Sequence, residues 1–157
     1  MYGLIFKELA NYNKISNEKL NAYLENISED QWNKNFNGHY KSIQELCLHN
    51  TYADHYLLKV FKSSRDFISL NKKILENELQ FNCINEYIKV RNELDDIINE
   101  FVNELTPDDW ERLIKFPDVN DMEFKLGPEI ISMFNHEVHN RGMISIYLEY
   151  LGIENEF

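Results

Sequence analysis

Five histidines, His39, His49, His55, His136 and His139, are the residues here whose chemistry depends most on their spacing. A neutral imidazole is a good ligand for Zn²⁺, Ni²⁺ or Fe²⁺ and titrates near neutral pH. His49 and His55 share one helical stretch but lie about 240° apart around its axis, so they cannot converge on one ion. His136 and His139, at i and i+3, are neighbours on a helical surface. His136 and Asn140, at i and i+4, are offset by only about 40° and are better aligned to grip one cation. His136 with either His139 or Asn140 therefore makes part of a metal site, and another ligand must come from elsewhere in the chain. His49 is the natural donor. It sits among Leu46, Ala53, Tyr56 and Val60, while Met133 and Tyr147 flank His136 at helical spacing. Two histidines in apolar settings read equally well as hydrogen-bonded core side chains. His39 lies in a polar stretch and reads as solvated.

Other chemistries find less support. Cys47 points about 200° away from His49 on a helix and is a poor nucleophile for that site. Cys47 and Cys83 form no C-x-x-C pair and read as half-buried core thiols, which suggests a reducing, cytoplasmic setting. No Ser-His-acid order, carboxylate cluster or Gly-rich phosphate loop stands out. Lys plus Arg number 16 and Asp plus Glu 27, a net charge of −11. That field argues against nucleic acid and against an anionic membrane surface, since both are held by cationic side chains. A small anionic substrate held by one Arg remains compatible with it. No apolar run is long enough to span a bilayer, and the short run at residues 2–6 is followed by Lys7 and Glu8, unlike a signal-peptide core.

Few turn residues, 5 Gly and 3 Pro in 157, suit long helices. Apolar residues at helical spacing predict helices over about 2–26, from 43 to about 62–65, over about 84–105, and from 127 to about 150 or 151. Ser28 with Gln31, and Ser42 with Glu45, each have the pattern of a capping box. The first opens a short turn carrying Trp32, and the second starts the second long helix. Residues 33–40, with Gly38, read as a loop. A weak helical turn is expected around 72–79 within the connection 66–81. Thr106 and Pro107 start a short turn carrying Trp110. Residues 113–116 and 122–125 then read as a small hairpin around 117–121. Gly127 and Pro128 open the last helix, and Gly152 sits where a helix-ending glycine belongs. The expected fold is all-α: one domain over 1–157, a four-helix bundle, with crossover connections because the links between helices one and two and between three and four are long. An exposed apolar helix face is expected to pair two copies as a homodimer.

The last helix contains Asn135-His136-Glu137-Val138-His139-Asn140-Arg141-Gly142-Met143-Ile144. It resembles the signature of the DinB-like (DinB/YfiT) superfamily, approximately N-H-x-x-x-H-R-G-Q-[IV], and Leu148-Glu149-Tyr150-Leu151-Gly152 is similar to its closing stretch. Leu9-Ala10-Asn11-Tyr12-Asn13 resembles the family's opening L-x-x-Y-N. Ser42-Ile43 through Leu48-His49, with Ala53-Asp54 and Tyr56, resembles the helix carrying the first metal ligand. The resemblance covers nearly the whole chain. It implies a four-helix bundle, often dimeric, with a divalent metal held by one histidine of the second helix and two of the fourth. Those positions are His49, His136 and residue 140, which is Asn here; Met143 replaces the usual Gln. A His₂Asn set binds a late transition metal more loosely than three imidazoles, because an amide oxygen is the harder, weaker donor. His139 could substitute as third ligand, or the site could be empty. Some relatives resemble thiol-dependent transferases or isomerases acting with small-molecule thiols. By this resemblance the chain is a metal-dependent hydrolase or transferase acting on a small molecule, or else a non-catalytic dimeric helical module that serves in stress response or binding. Asp54 or Glu137 could orient a ligand imidazole, or belong to a solvated acidic face. Arg141 could hold a substrate carboxylate, or form a structural ion pair.

Overall fold

Along the 84–105 stretch, Ile84, Ile88, residues 91 and 95, Ile98, Val102 and Leu105 recur at alternating steps of four and three, and every one is buried. Such a seam dictates a helix with one face turned to the core. The computed structural model describes residues 2–67, 79, 81–119 and 122–157. The helices are α1 (Tyr2–Leu24), α2 (Glu29–Trp32), α3 (Ile43–Ser64), α4 (Ile84–Glu104) and α5 (Leu126–Tyr150). Pro107–Glu111 forms a 3-10 turn, and β1 (Leu113–Lys115) pairs antiparallel with β2 (Glu123–Lys125), Ile114 opposite Phe124. The helical turn expected around 72–79 lies outside the described residues, save for Leu79, which is buried and not helical.

The caps explain where the helices start and stop. Ser28 Oγ accepts from the Gln31 N–H while the Gln31 side chain accepts from the Ser28 N–H, a complete capping box. Ser42 Oγ accepts from the Glu45 N–H, but the Glu45 carboxylate accepts from Lys41 N–H instead of Ser42, so only half of the second expected box forms. The last helix opens at Leu126, one residue before Gly127. Pro128 still lies within its first turn, where a missing N–H is no loss. Gly152, at φ +79, ends that helix. Its N–H donates to Glu149 O, and the Ile153 N–H to Leu148 O.

α1 packs on α4 and α5, and α3 packs on the same two, so α1 and α3 stand on opposite corners of the bundle. Two apolar clusters give the helix directions. One gathers Phe6 of α1, Phe61 of α3, Phe101 of α4 and Ile130 of α5. The other gathers Leu24, Ile43, Ile84 and Leu148 of the same four helices. α1 and α5 therefore run one way, and α3 and α4 the other. The link between α3 and α4 joins opposite ends of the bundle and is the lengthwise crossover. The two links expected to be long cross the diagonal at a single end.

Candidate functional site

Between the two apolar clusters lies a polar layer to which every long helix contributes. Asn13 and Asn17 come from α1, Asn50 and Asp54 from α3, Arg91 and Asp95 from α4, and Glu137, Asn140 and Arg141 from α5; all are buried. Arg91, at 1% exposure, donates to Asp54 at 2.8 Å, to Asp95 at 2.8 Å and to Glu137 at 3.0 Å. Arg141 donates to Glu137 at 3.1 Å and to the side-chain oxygens of Asn13 and Asn17. The Asn17 amide donates to Asp95. Fully ionised, three carboxylates against two guanidiniums would leave one buried negative charge, which is costly unless neutralised. Burial, followed by the adjacent Glu137 charge, raises the Asp54 carboxyl well above its ordinary value. Burial also works to raise Glu137, but Arg91, a hydrogen bond from Asp54 and Arg141 bring it down to about 2. Asp54 therefore keeps a proton and donates it to Glu137. Asp54 Oδ1 has no hydrogen-bond partner among the described residues, as a carboxyl oxygen facing another carboxylate would. The layer is then neutral.

At the edge of this layer two imidazoles meet. His49 Nε2 stands 3.0 Å from His136 Nε2, with ring centroids 5.0 Å apart and both rings half-buried. Each follows from the layer: His49 precedes Asn50 in sequence, and His136 precedes Glu137. Burial lowers the pKa of both. The neighbouring His136 and His39 lower His49 further; at His136 the Glu137 charge acts to raise it and His139 to lower it. Both imidazoles are thus neutral at neutral pH, the form in which they can ligate a metal. Two nitrogens about 2.1 Å from one cation, at angles of about 90–110°, stand roughly 3.0–3.4 Å apart. The separation of His49 and His136 is that of a hydrogen bond between two neutral imidazoles, and it also fits a shared cation.

Asn140 presents its amide nitrogen to this pair. Nδ2 lies within hydrogen-bond distance of His136 Nε2 at 3.0 Å, of Asn50 Oδ1 at 2.9 Å and of the His136 carbonyl oxygen at 3.0 Å. Asn50 in turn donates to Glu137. This chain of donors sets the Asn140 amide, because turning it over would place its oxygen against two carbonyl oxygens. His139 is exposed, and among the described residues no three His, Cys, Asp or Glu side chains converge as a metal-holding group.

The remaining expected residues divide clearly. Asp54 and Glu137 are not on a solvated face; both are fully buried on Arg91. Arg141 is in a structural ion pair with Glu137 and is not open to a substrate. Cys47 is buried, and its thiol is pushed up to about 12, chiefly by burial, so it is no nucleophile. Arg91, Asp95, Asn13 and Asn17 were not legible as site residues from the histidine pattern. Their signal lay in the seams: Phe6, Ala10, Asn13, Asn17, Leu20 and Leu24 keep the four-three rhythm of α1, with polar residues at its middle. Arg91 and Asp95 interrupt α4 in the same way.

The comparisons with known proteins agree with this architecture. A family model described as "DinB family" matches residues 1–156. The chain belongs to the DinB family. Its DinB fold is also similar to the crystal structure of a DinB-like protein, YjoA, from Bacillus subtilis. The TM-score is 0.70 at 19% identity, over 96% of each chain, a likeness of fold. No curated protein matches this DinB-family chain.

Proposed function

We propose that this DinB-family protein holds a divalent transition metal between His49 and His136 and uses it on a small-molecule substrate, as a hydrolase or a thiol-dependent transferase. The 3.0 Å approach of two neutral Nε2 atoms supports this reading most directly. A bound Zn²⁺, Ni²⁺ or Fe²⁺ would supply Lewis acidity, polarising a carbonyl and acidifying water or a thiol. The chain's own residues hold the pair in place. Asn140 packs against His136, Asn50 ties Asn140 to Glu137, and Arg91 anchors Glu137. Tyr40 covers His49 on the loop side, its ring 4.7 Å away. Elemental analysis of the purified protein beside His49→Ala and His136→Ala variants tests the reading. A stoichiometric metal lost in both variants is expected, and equal, near-zero metal in all three would overturn it.

One observation favours a second reading, a helical binding module without metal. The third ligand position offers an amide nitrogen, which is no metal donor, where a third imidazole would be needed for tight binding. We also propose that the chain pairs with a second copy. Ile131, Val138 and Ile146 of α5 are 42%, 54% and 47% exposed at steps of seven and eight, and Tyr12 and Ile15 of α1, a helix that packs on α5, are exposed too. No helix among the described residues is long and apolar enough to cross a membrane.

A further inference from the structure

The loop between α2 and α3 is closed on itself and pinned to α5. The Phe36 N–H donates to Lys41 O at 2.7 Å, across a turn in which Asn37 takes a positive φ of 57°. The Lys41 N–H donates to Glu45 Oε2 in the first turn of α3, also at 2.7 Å. Tyr147 of α5 donates its hydroxyl to Tyr40 O at 2.6 Å, and its ring stacks on Phe36 with centroids 4.3 Å apart. Gly38 lies against that hydroxyl so closely that a Cβ would collide with it. Together these ties place one ring. Tyr40 stands 4.7 Å from His49 with the two planes 33° apart, nearer face-to-face than edge-on, and so lies across one face of the imidazole whose Nε2 meets His136. Asn37, Gly38 and His39 are exposed, but Tyr40 is half-buried and turned inward.

We propose that Tyr40 controls access to the His49–His136 pair, and that the Tyr147 hydroxyl is the latch that keeps it closed. The ties on Tyr40 are few and lie at the surface: one hydrogen bond to its carbonyl oxygen, one ring stack at Phe36 and one turn. A segment held in this way opens locally at far less cost than the core does. Lifting it leaves the buried charge layer intact, because Arg91, Arg141 and Asn140 bond to residues of the four long helices and not to the loop. The inference concerns the pair itself. With a metal held there, as in the reading above, Tyr40 governs what reaches it; without one, Tyr40 still shields His49.

Diethyl pyrocarbonate, which carbethoxylates neutral imidazole, is the probe. It is applied at neutral pH to the metal-free full chain, and peptide mass spectrometry gives the initial rate at each histidine. Wild type is compared with Tyr40→Phe, Tyr40→Ala and Tyr147→Phe, with exposed His139 as the internal reference and circular dichroism as the check of the fold. Tyr147→Phe should speed labelling of His49 about 5-fold, the change in open population that one lost hydrogen bond makes. Tyr40→Ala should speed it at least as much, and Tyr40→Phe, which keeps the ring, should match wild type. His139 should react at the wild-type rate in all four proteins. A wild-type rate at His49 in Tyr40→Ala would overturn the cover. Wild-type labelling in Tyr147→Phe beside fast labelling in Tyr40→Ala would overturn the latch. The labelling needs no metal, so its outcome is separate from that of the elemental analysis that tests the metal reading.

Discussion

Arg91 holds three carboxylates at a position where the helix pattern calls for an aliphatic side chain. Removing one partner of a buried charged cluster leaves the others uncompensated, at a cost of about 3–5 kcal/mol. Arg91→Met should lower stability by that amount in chemical denaturation. Asp54→Asn is the informative contrast: an amide fills the same space, carries no charge and can still donate to Glu137. It should leave stability within about 1 kcal/mol of wild type, whereas Asp54→Ala should not. The pH dependence follows from the same residues. Asp54 and Asp95 hold their protons more tightly folded than unfolded, Asp95 titrating at about 6 because burial outweighs its contacts with Arg91 and Asn17. Their contribution is complete below the ordinary carboxyl value and is lost as pH rises through the folded values. Glu137 behaves oppositely: its contribution is present above its ordinary value and lost as pH falls toward about 2. Denaturation midpoints should therefore decline as pH rises above about 5 and through about 6, where Asp95 titrates, and Asp54→Asn should flatten part of the slope. A decline unchanged in Asp54→Asn would show that Asp54 does not carry the shared proton.

The loop carrying Phe36 and Tyr40 and the helix carrying Tyr147 act as one unit. Tyr147→Phe removes a single hydrogen bond without adding volume and should cost about 1 kcal/mol. Gly38→Ala drives a methyl group toward the Tyr147 hydroxyl and should loosen the same loop by a different route. Hydrogen exchange is the measurement. Both variants should speed exchange of the Phe36 amide, whose bond to Lys41 O closes the turn, while amides in the middle of α4 stay protected. The helices were readable because a 3.6-residue apolar rhythm reports a helix wherever it faces a core. Ser28 and Gly152 were readable because caps are local. The Ser42 cap came out only in part, since Glu45 had a choice between two adjacent N–H groups and local sequence does not say which it takes.

For the molecule as a whole, exposed Leu4, Ile5, Tyr12 and Ile15 of α1 and Ile131, Val138 and Ile146 of α5 supply apolar surface on adjoining helices. A stable pair of chains buries about 800 Å² on each partner. Sedimentation velocity should find wild type near twice the chain mass and Val138→Glu near the chain mass. Wild type sedimenting as a single chain would remove the homodimer reading.

The amino-acid sequence alone determined the helices, their approximate ends, the hairpin and the histidines worth watching, because each depends on neighbours within a turn or two. It also carried the family resemblance, which short motifs spread along the chain can hold. Only tertiary structure decided that His49 and His136 meet, that Asp54 and Glu137 are buried together on Arg91, and that Asn140 turns its nitrogen toward His136. Those outcomes depend on how four helices register against one another. The buried charge layer joins members that lie far apart in the chain and take their meaning from one another.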